Sequence, residues 1–505
     1  MKSPASELLH QVHVFRGGGQ FQPIASFDPS KATYTEDQEA IQESLLRFCS
    51  PNSWHKSSRS AFIPRPIAVS AEHQRRWKDL NEALVLAITD IVERWWTDTG
   101  SRYPERMPLE PAEEELLRWI DSQVPSNLPP YRDCRGSWRP DFLVEDESRE
   151  GVPGPIENFR ISEINARFSF NGMMYAACGQ QALKEEGICD AGNGLVGTTE
   201  PAQMLGGLLG LFDLRLPLHL LKGDEPGIDI HMVVEYLRTH FGINPRFVPP
   251  ADLRLVPCSQ AKGGYRLCCV TRDTEARNTE HAKSVITYDG ETMEEIYQVG
   301  LELHQKELRA LSPEMLRQVS LRCFNDLRTV LLVHDKRMLG LVRQELDTLV
   351  DRDILTYAQA KILEKGIADT ILPGSAELEQ LIESCKQDPD LRNDYILKPI
   401  RSGKGDGIVF GEDINPANWM SSLEGLRSSQ LVPGGGTCIV QRRINQIRYD
   451  LVLRPAGVMT RYPLVGTYHS IHGEFLGVGV WRSSPHRICA ISQGGAWTCS
   501  VSHCS

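Results

Sequence analysis

The sequence predicts a mixed α and β protein, partly α+β and partly α/β, with a helical N-terminal region. Three observations support this fold class. Apolar residues recur with helical spacing in residues 1–125, strands and helices alternate between Leu205 and Leu255, and glycine and β-branched residues are frequent from Tyr395 to Ser505. At 505 residues, the chain is longer than one hydrophobic core usually serves. Two or three subdomains with a cleft between them are therefore expected.

The N-terminal region, residues 1–125, has helical periodicity near Asp37–Phe48 and along Ala71–Trp96. A short helix is expected at Ala112–Ile120, among prolines that interrupt the chain repeatedly. These interruptions predict a domain boundary near residue 125. At the other end of the chain, we expect the segment around Cys499 to be a frayed tail.

The second segment, residues 126–204, changes to short apolar strands at Phe142–Val144 and Phe159–Ile164. The acidic loop Glu145–Pro155, which also carries glycine and proline, separates them. The two strands are therefore expected to pair.

The third segment, residues 205–330, has α/β character. An apolar strand is expected at Leu216–Leu221, a helix at Met232–Phe241 and a further strand at Arg246–Val248. The charged, amphipathic span Glu294–Ser320 predicts a helix near the end of this segment.

The fourth segment, residues 331–505, follows an apolar strand expected at Val330–Val333. Further helices are expected up to about Lys386. Beyond Tyr395, alternating apolar residues, as at Phe475–Val480, predict an antiparallel sheet.

The composition argues against several classes of partner. A formal net charge of −11 argues against a nucleic-acid surface and against binding to anionic membranes. No run of about 18 apolar residues and no signal-peptide core is found, so no membrane span and a cytoplasmic location are expected. The oligomeric state stays open.

The sharpest local pattern is a strand that ends in Lys398 and leads into a glycine-rich loop. Glycine at Gly403, Gly405 and Gly407 lets backbone N–H groups approach phosphate oxygens, and Lys398 and Lys404 add positive charge. The loop lacks the ending and the following helix of a Walker P-loop. A glycine-rich hairpin with solvent-facing lysines is the alternative for the loop alone.

Further along, Cys438–Arg443 forms an apolar strand with a polar exit. Such a strand has the geometry needed for an adenine slot, with backbone hydrogen bonds at one edge. An ordinary core strand is the alternative.

Two earlier strands carry candidate metal ligands. Alternation places Glu163 and Asn165 on one face of a strand, and Asp141 would complete an all-oxygen site suited to Mg²⁺. Arg139 and Arg167 flank these oxygens, where guanidinium groups would stabilise a phosphoryl group in transfer. An exposed strand face with arginine–carboxylate salt bridges is the alternative.

Two more cations are secondary candidates. Lys336 follows the apolar segment Val330–Val333 and would reach a phosphate, although a solvated helix start is the alternative. Arg482 would grip a carboxylate or the γ-phosphate with two hydrogen bonds. A surface arginine beside a packed Trp481 is the competing interpretation.

Together these motifs resemble the ATP-grasp superfamily, in the permuted order of the synthetase domain of glutathionylspermidine synthetase. The resemblance rests on the pair Arg139 and Asp141, the pair Glu163 and Asn165, and Lys398 with its glycine-rich loop. In common ATP-grasp enzymes the lysine and the loop precede the magnesium strand, whereas here Lys398 follows it. This order implies a circularly permuted ATP-grasp fold.

The resemblance covers roughly residues 130–505 and implies ATP and Mg²⁺ as cofactors. It also implies that residues 126–204 hold the magnesium-ligand strands, 205–330 a pre-ATP-grasp-like subdomain and 331–505 the ATP-binding subdomain. The roles it implies are magnesium ligand for Asp141, Glu163 and Asn165, phosphoryl-stabilising arginine for Arg139, nucleotide-binding lysine for Lys398, phosphate lid for Gly403–Gly407 and adenine hinge for Gln441.

The implied activity is an ATP-dependent ligase that joins a small carboxylic acid to an amine. The acid would first become an acylphosphate, and the amine would then displace phosphate to form an amide. Two alternatives stay open: a phosphotransferase on the same fold, which leaves a stable phosphorylated product, and a nucleotide-binding protein without catalysis. Product analysis separates the ligase from the phosphotransferase, and nucleotide binding without turnover would favour the non-catalytic protein.

Overall fold

The computed structural model describes residues 8–14, 21–26, 31–148, 154–271, 285–403, 405–432, 436–454 and 458–504. In these ranges, no helix has the length and apolar content needed to cross a membrane. The α-helices are α1 (Lys31–Phe48), α2 (Ala71–Glu93), α3 (Tyr103–Arg106), α4 (Pro111–Gln123), α5 (Met173–Glu185), α6 (Pro201–Leu209), α7 (Ile230–Phe241), α8 (Gln305–Ala310), α9 (Pro313–Ser320), α10 (Arg337–Gln344), α11 (Leu346–Asp351), α12 (Tyr357–Gly366), α13 (Ala376–Gln387) and α14 (Pro416–Gly425).

The strands are β1 (His10–His13), β2 (Gln22–Pro23), β3 (Ile67–Ala68), β4 (Ser137–Asp146), β5 (Glu157–Asn165), β6 (Leu195–Gly197), β7 (His219–Lys222), β8 (Arg246–Val248), β9 (Leu253–Pro257), β10 (Tyr265–Val270), β11 (Val285–Tyr288), β12 (Glu291–Glu295), β13 (Val299–Glu302), β14 (Thr370–Ile371), β15 (Tyr395–Pro399), β16 (Val409–Phe410), β17 (Cys438–Arg442), β18 (Arg448–Val452), β19 (Met459–Pro463), β20 (Val465–Ile471), β21 (Glu474–Ser483), β22 (Ala496–Thr498) and β23 (Ser500–His503).

One five-stranded antiparallel sheet, in the order β22-β21-β20-β4-β5, joins strands that lie far apart in the sequence. As predicted, β4 and β5 pair, with Asp141 opposite Glu163 and Arg139 opposite Asn165. Because β20 and β21 come from the last part of the chain, the predicted second and fourth segments contribute to one sheet.

Aromatic packing holds α2 against this sheet. Trp77 on α2 lies 5.5 Å from Phe142, 4.8 Å from Phe159 and 5.9 Å from Trp481, measured between ring centroids. Such aromatic side chains each bury a large apolar area. Since successive side chains in a strand point to opposite faces, the residues that alternate with these aromatics face away from α2.

A second, four-stranded sheet has the order β14-β17-β15-β16 and is antiparallel throughout. Its strand β15 is the predicted strand that ends near Lys398, and the chain returns after the glycine-rich loop as β16. Leu381 of α13 and Trp419 of α14 pack in one cluster with Leu397 and Val440 of this sheet.

The third segment forms a parallel sheet, β13-β7-β8, and an antiparallel sheet, β11-β12-β10-β9. The predicted helix and the strand after it are confirmed as α7 and β8. The predicted helix Glu294–Ser320 is wrong in its first part, because β13 lies there as a fully buried strand paired with β7. The predicted strand Val330–Val333 is also wrong: Thr329–Val333 is a π-helix. A short apolar run carries no periodicity that separates the two structures.

The two ends of the chain also differ from expectation. The predicted N-terminal helices are present, but β1 and β3 join β23 and β6 in a five-stranded sheet, so the region is not purely helical. The prediction of a frayed tail is wrong, because Cys499 is buried and β23 pairs with β3 and β6. The C-terminal part contains α14 and contributes strands to several sheets rather than to one. Partners far away in the sequence decide these pairings.

Candidate active site

A cavity of about 660 Å³ opens between the β22-β21-β20-β4-β5 and β14-β17-β15-β16 sheets. Most of the predicted site residues surround it, although they come from strands separated by hundreds of residues. Those that line it are Arg139, Asp141, Glu163, Asn165, Arg167, Lys398, Gly403, Gly405 and Arg482.

Glu163 and Lys336 form an ion pair at the edge of this cavity, with 3.2 Å between Oε2 and Nζ. The Lys336 Nζ also donates a hydrogen bond to the carbonyl oxygen of Ser402 at 2.7 Å. Burial by itself would raise the pKa of Glu163, but Lys336 and Lys398 outweigh it and hold that pKa well below its ordinary value. Lys336 is therefore buried beside the site rather than at a solvated helix start.

Lys398 has a buried side chain whose nitrogen shares this environment. Burial and the charge of Lys336 lower the pKa of Lys398 to about 8, although Glu163 and Asp141 act in the opposite direction. The ammonium is thus easier to deprotonate than an ordinary lysine, and an anion bound nearby would favour its charged form.

Asp141 lies between two arginines. Its Oδ1 accepts from Nε of Arg139 at 3.0 Å, and its Oδ2 accepts from Nη2 of Arg482 at 2.6 Å. Arg139 also donates from Nη1 to the carbonyl oxygen of Asn171 at 3.1 Å. One carboxylate therefore orients two guanidinium groups toward the cavity. Salt bridges are present, as the alternative proposed, but they do not lie on an exposed face, because Asp141 is buried and the Arg482 side chain is only 14% exposed.

These contacts define a charge cluster with four cations and two carboxylates. The charge cluster comprises Arg139, Asp141, Glu163, Lys336, Lys398 and Arg482.

Several buried polar atoms around the cavity have no hydrogen-bond partner among the described residues. They are Nδ2 of Asn165, Nε of Arg167 and Nε of Arg482. Leaving a buried donor unpaired costs about 1–3 kcal/mol, so native structures rarely keep several together. Because all three residues line the cavity, these donors are available to a polar ligand. Arg167 also lies over the ring of Phe168, at 4.6 Å from the centroid.

The glycine-rich loop borders the same cavity through Gly403 and Gly405. Gly405 has a φ of +80° and Gly407 a φ of +76°, so both adopt the left-handed conformation that favours glycine. A Cβ at Gly407 would lie 2.8 Å from Pro399, so this glycine shapes the turn and does not line the cavity. The predicted Lys404 lies outside the described residues.

The side chain of Gln441, the predicted adenine hinge, does not line the cavity, and its role beside adenine stays a prediction. Its side chain is buried, and Nε2 donates to Oγ1 of Thr370 at 3.0 Å, the residue directly opposite it on β14. The chain just after β17 lines the cavity instead, through Arg443, Ile444 and Gln446. Gln441 lies on the same face of the sheet as Ile396 and Lys398, which line the cavity, but β5 and β14 cover its side chain through Ser162 and Thr370.

An apolar slot lies in this part of the cavity, next to the charge cluster. Its walls come from both sheets, namely Leu143, Ile396, Ile408, Phe410 and Ile444. Apolar walls beside a few placed polar groups are typical of sites that bind flat heterocycles.

Sequence reasoning missed further cavity residues. Arg401 follows Lys398 closely, and the motif could have included it. Tyr175, Ile228, the loop segment 55–58 and the segment 304–306 at the start of α8 gave no signal, because no local pattern marks them as neighbours of the motifs in the fold.

A salt-bridge network, formed by Glu113, Asp335, Arg337 and Arg401, lies beside the charge cluster. Asp335 accepts from Nη2 of Arg337 at 2.8 Å and from Nε of Arg401 at 2.9 Å, while Nη1 of Arg401 contacts both oxygens of Glu113 at 2.7 Å. Burial would raise the pKa of Asp335, but the two arginines lower it to about 2. This network fixes the start of α10 and the chain after β15.

Known proteins are similar to this chain in sequence or in fold. A family model described as the AnkG N-terminal domain matches residues 80–332. The chain is 33% identical over 488 residues to the ATP-grasp enzyme ankG of Aspergillus thermomutatus, covering 96% of this chain and 98% of that protein. The solved structure of a glutathione synthetase-like effector (GSS30) of Globodera pallida matches this chain with a TM-score of 0.53 and 10% sequence identity. The match covers 94% of this chain and 98% of the effector, so the two folds are similar. The chain therefore belongs to the family of the ATP-grasp enzyme ankG, and its resemblance to the ATP-grasp superfamily is confirmed.

Proposed function

We propose that the protein is an ATP-dependent ligase that joins a small carboxylic acid to an amine, releasing ADP and phosphate. The observation that carries this proposal is the charge cluster, in which four cations exceed two carboxylates beside a cavity. An excess of buried positive charge suits a triphosphate and a substrate carboxylate. The apolar slot beside it would hold the adenine ring.

Magnesium would be held by Glu163 and Asn165, with Asp141 next to them. The fit rests on their chemistry: Glu163 is ionised and Asn165 offers an amide oxygen. The buried Nδ2 of Asn165, which has no hydrogen-bond partner in the part of the chain that the structure describes, would donate to a phosphate oxygen. Carboxylate and amide oxygens are the ligands that Mg²⁺ prefers. Asp141 already accepts from two arginines, but a carboxylate offers about four lone pairs. When bound, magnesium would neutralise phosphate charge.

The residues of the charge cluster would act by position and charge. Lys336 and Lys398 would hold the phosphates while a carboxylate oxygen of the acid attacks the γ-phosphorus and the bond to ADP breaks. Arg139 and Arg482, oriented by Asp141, would stabilise the acylphosphate oxygens. The amine nitrogen then attacks the acyl carbon, phosphate leaves, and the amine proton passes to solvent.

We also propose that the ATP-grasp elements are circularly permuted. The support is their order along the chain, since the strand with Glu163 and Asn165 precedes the strand that ends near Lys398. The predicted subdomain boundaries near residues 125, 204 and 330 stay a prediction.

Hydroxylamine tests the proposed intermediate. The protein is incubated with ATP, Mg²⁺, hydroxylamine and a panel of small carboxylic acids, and nucleotide products and hydroxamates are measured. We expect one acid to give ADP, phosphate and a hydroxamate, because hydroxylamine would replace the amine. Arg139→Ala should lower the yields of ADP, phosphate and hydroxamate by about 10²–10³-fold, as expected when an electrostatic contact to the transition state is lost.

Arg75→Ala is the matched control, because Arg75 on α2 has a 62% exposed side chain. It should leave the yields unchanged. AMP and pyrophosphate as products would overturn the proposed mechanism. A stable phosphorylated product that ignores hydroxylamine would favour the phosphotransferase, and nucleotide binding without turnover would favour the non-catalytic protein.

A further inference from the structure

A separate group of three side chains, of types that can ligate a metal, lies between the β13-β7-β8 and β11-β12-β10-β9 sheets. His219 begins β7, Cys269 lies on β10 and Glu294 lies on β12. Cys269 and Glu294 are direct cross-strand neighbours, which places their Cβ atoms about 4.5–5.5 Å apart. His219 reaches them from the facing sheet. None of the three lines the candidate active site.

The donor atoms converge. One ring nitrogen of His219, the Sγ of Cys269 and a carboxylate oxygen of Glu294 all lie within 4.8 Å of one another. The Nε2 of His219 is 3.5 Å from Oε1 of Glu294. Around a tetrahedral zinc ion, with bonds of about 2.0–2.3 Å, ligand atoms are separated by about 3.3–3.6 Å. Small side-chain rotations would therefore close the three donors around one ion.

The burial of His219 is the second, independent observation. Its side chain is completely buried, Nδ1 has no hydrogen-bond partner among the described residues, and Nε2 faces Oε1 of Glu294 at the long distance of 3.5 Å. A simple ion pair with Glu294 would need a charged imidazole in a fully buried position. Glu294 already has a cationic partner, because Nη1 of Arg246 donates to its Oε2 at 2.8 Å. Oε1 is the oxygen on the His219 side.

We propose that His219, Cys269 and Glu294 bind one divalent transition-metal ion of the zinc type. Thiolate, imidazole and carboxylate are the ligands that zinc uses, and a thiolate disfavours Mg²⁺ and Ca²⁺. On binding, the thiol proton of Cys269 passes to solvent. Water supplies the fourth ligand, since the Glu294 side chain is 14% exposed. The ion ties the two sheets together.

Cobalt substitution tests this site without reference to activity. The reduced full-length chain, free of nucleotide, is titrated with Co²⁺, and bound metal is counted after desalting. We expect one bound ion with a thiolate-to-cobalt absorption band, and a higher melting temperature with Zn²⁺. The band reports a cysteine, and because Cys489 also lines the candidate active site, variants decide which cysteine gives it. Absence of this band would overturn the proposal.

Variants identify which cysteine is involved. Cys269→Ser should abolish the absorption band and weaken metal binding by at least about tenfold. Removing a residue that only hydrogen-bonds to a metal ligand already costs about tenfold in metal affinity. Cys268→Ser is the matched control, because Cys268 is equally buried but packs with Val256 and Met293 in a separate cluster. An unchanged band in Cys269→Ser would refute the site. If Cys269→Ser fails to fold, Glu294→Gln provides the test, because Glu294 is partly exposed. Unchanged metal affinity in Glu294→Gln would also refute the proposed site.

Discussion

The charge cluster and the salt-bridge network are neighbouring groups of buried charges, and they differ in charge balance. The network has two arginines and two carboxylates, so its charges cancel. The charge cluster has two more cations than carboxylates. Burying charge is costly unless it is paired. A balanced group can hold elements together by itself, whereas under the proposed function an anionic ligand would complete the unbalanced one.

Breaking the network should have the largest effect, on stability. Asp335→Asn leaves Arg337 and Arg401 buried without that carboxylate, which should lower the free energy of unfolding by about 3–5 kcal/mol. Chemical denaturation measures this. Asp390→Asn is the control, because Asp390 pairs with Arg392 but is 83% exposed, and exposed pairs contribute about 0–1 kcal/mol. Equal stabilities of the two variants would contradict a structural role for the network.

Changing the charge cluster should affect turnover instead. Glu163→Gln keeps the side-chain shape but removes a charged oxygen ligand, so ADP formation should fall by about 10²–10³-fold. Its melting temperature should change less than that of Asp335→Asn. Glu383→Gln, at a 61% exposed position on α13, should change neither quantity. Full activity in Glu163→Gln would remove this carboxylate from the reaction.

Removing the proposed contact between Lys398 and the nucleotide should have a smaller effect, on ATP affinity. Lys398→Ala should weaken ATP binding by about 1.5–3 kcal/mol, the range for a hydrogen bond to a charged group. Isothermal titration calorimetry measures the affinity. Lys386→Ala, a 46% exposed lysine on α13, serves as the control and should bind ATP normally. Unchanged affinity in a folded Lys398→Ala variant would place Lys398 outside the nucleotide site.

The pH dependence of ATP binding should be the smallest effect. The pKa of Lys398 is lowered to about 8, so its ammonium is present below that pH and is lost above it. ATP affinity should therefore fall as the pH rises from about 7.5 to about 9.5, by at most about tenfold per pH unit. Lys398→Arg stays charged throughout and should show a flatter profile. The same slope in both proteins would exclude Lys398 as the titrating group.

The sequence by itself determined the local elements and the kinds of site residue. The short apolar segments Phe142–Val144 and Phe159–Ile164 predicted β4 and β5, and the segment Met232–Phe241 predicted α7. Carboxylate, amide, lysine and glycine types indicated a nucleotide and a metal. These properties depend on neighbours within a few residues, so they can be read along the chain.

Only the tertiary structure decided which of these residues meet. Arg482 contacts Asp141 across 341 positions in the sequence, and Lys336 pairs with Glu163 although its helix start appeared solvated. The side chain of Gln441 was covered by β5 and β14, and the apolar segment Val330–Val333 became part of a π-helix. Burial and strand pairing between distant segments set these outcomes, and no local pattern encodes a partner that lies hundreds of residues away.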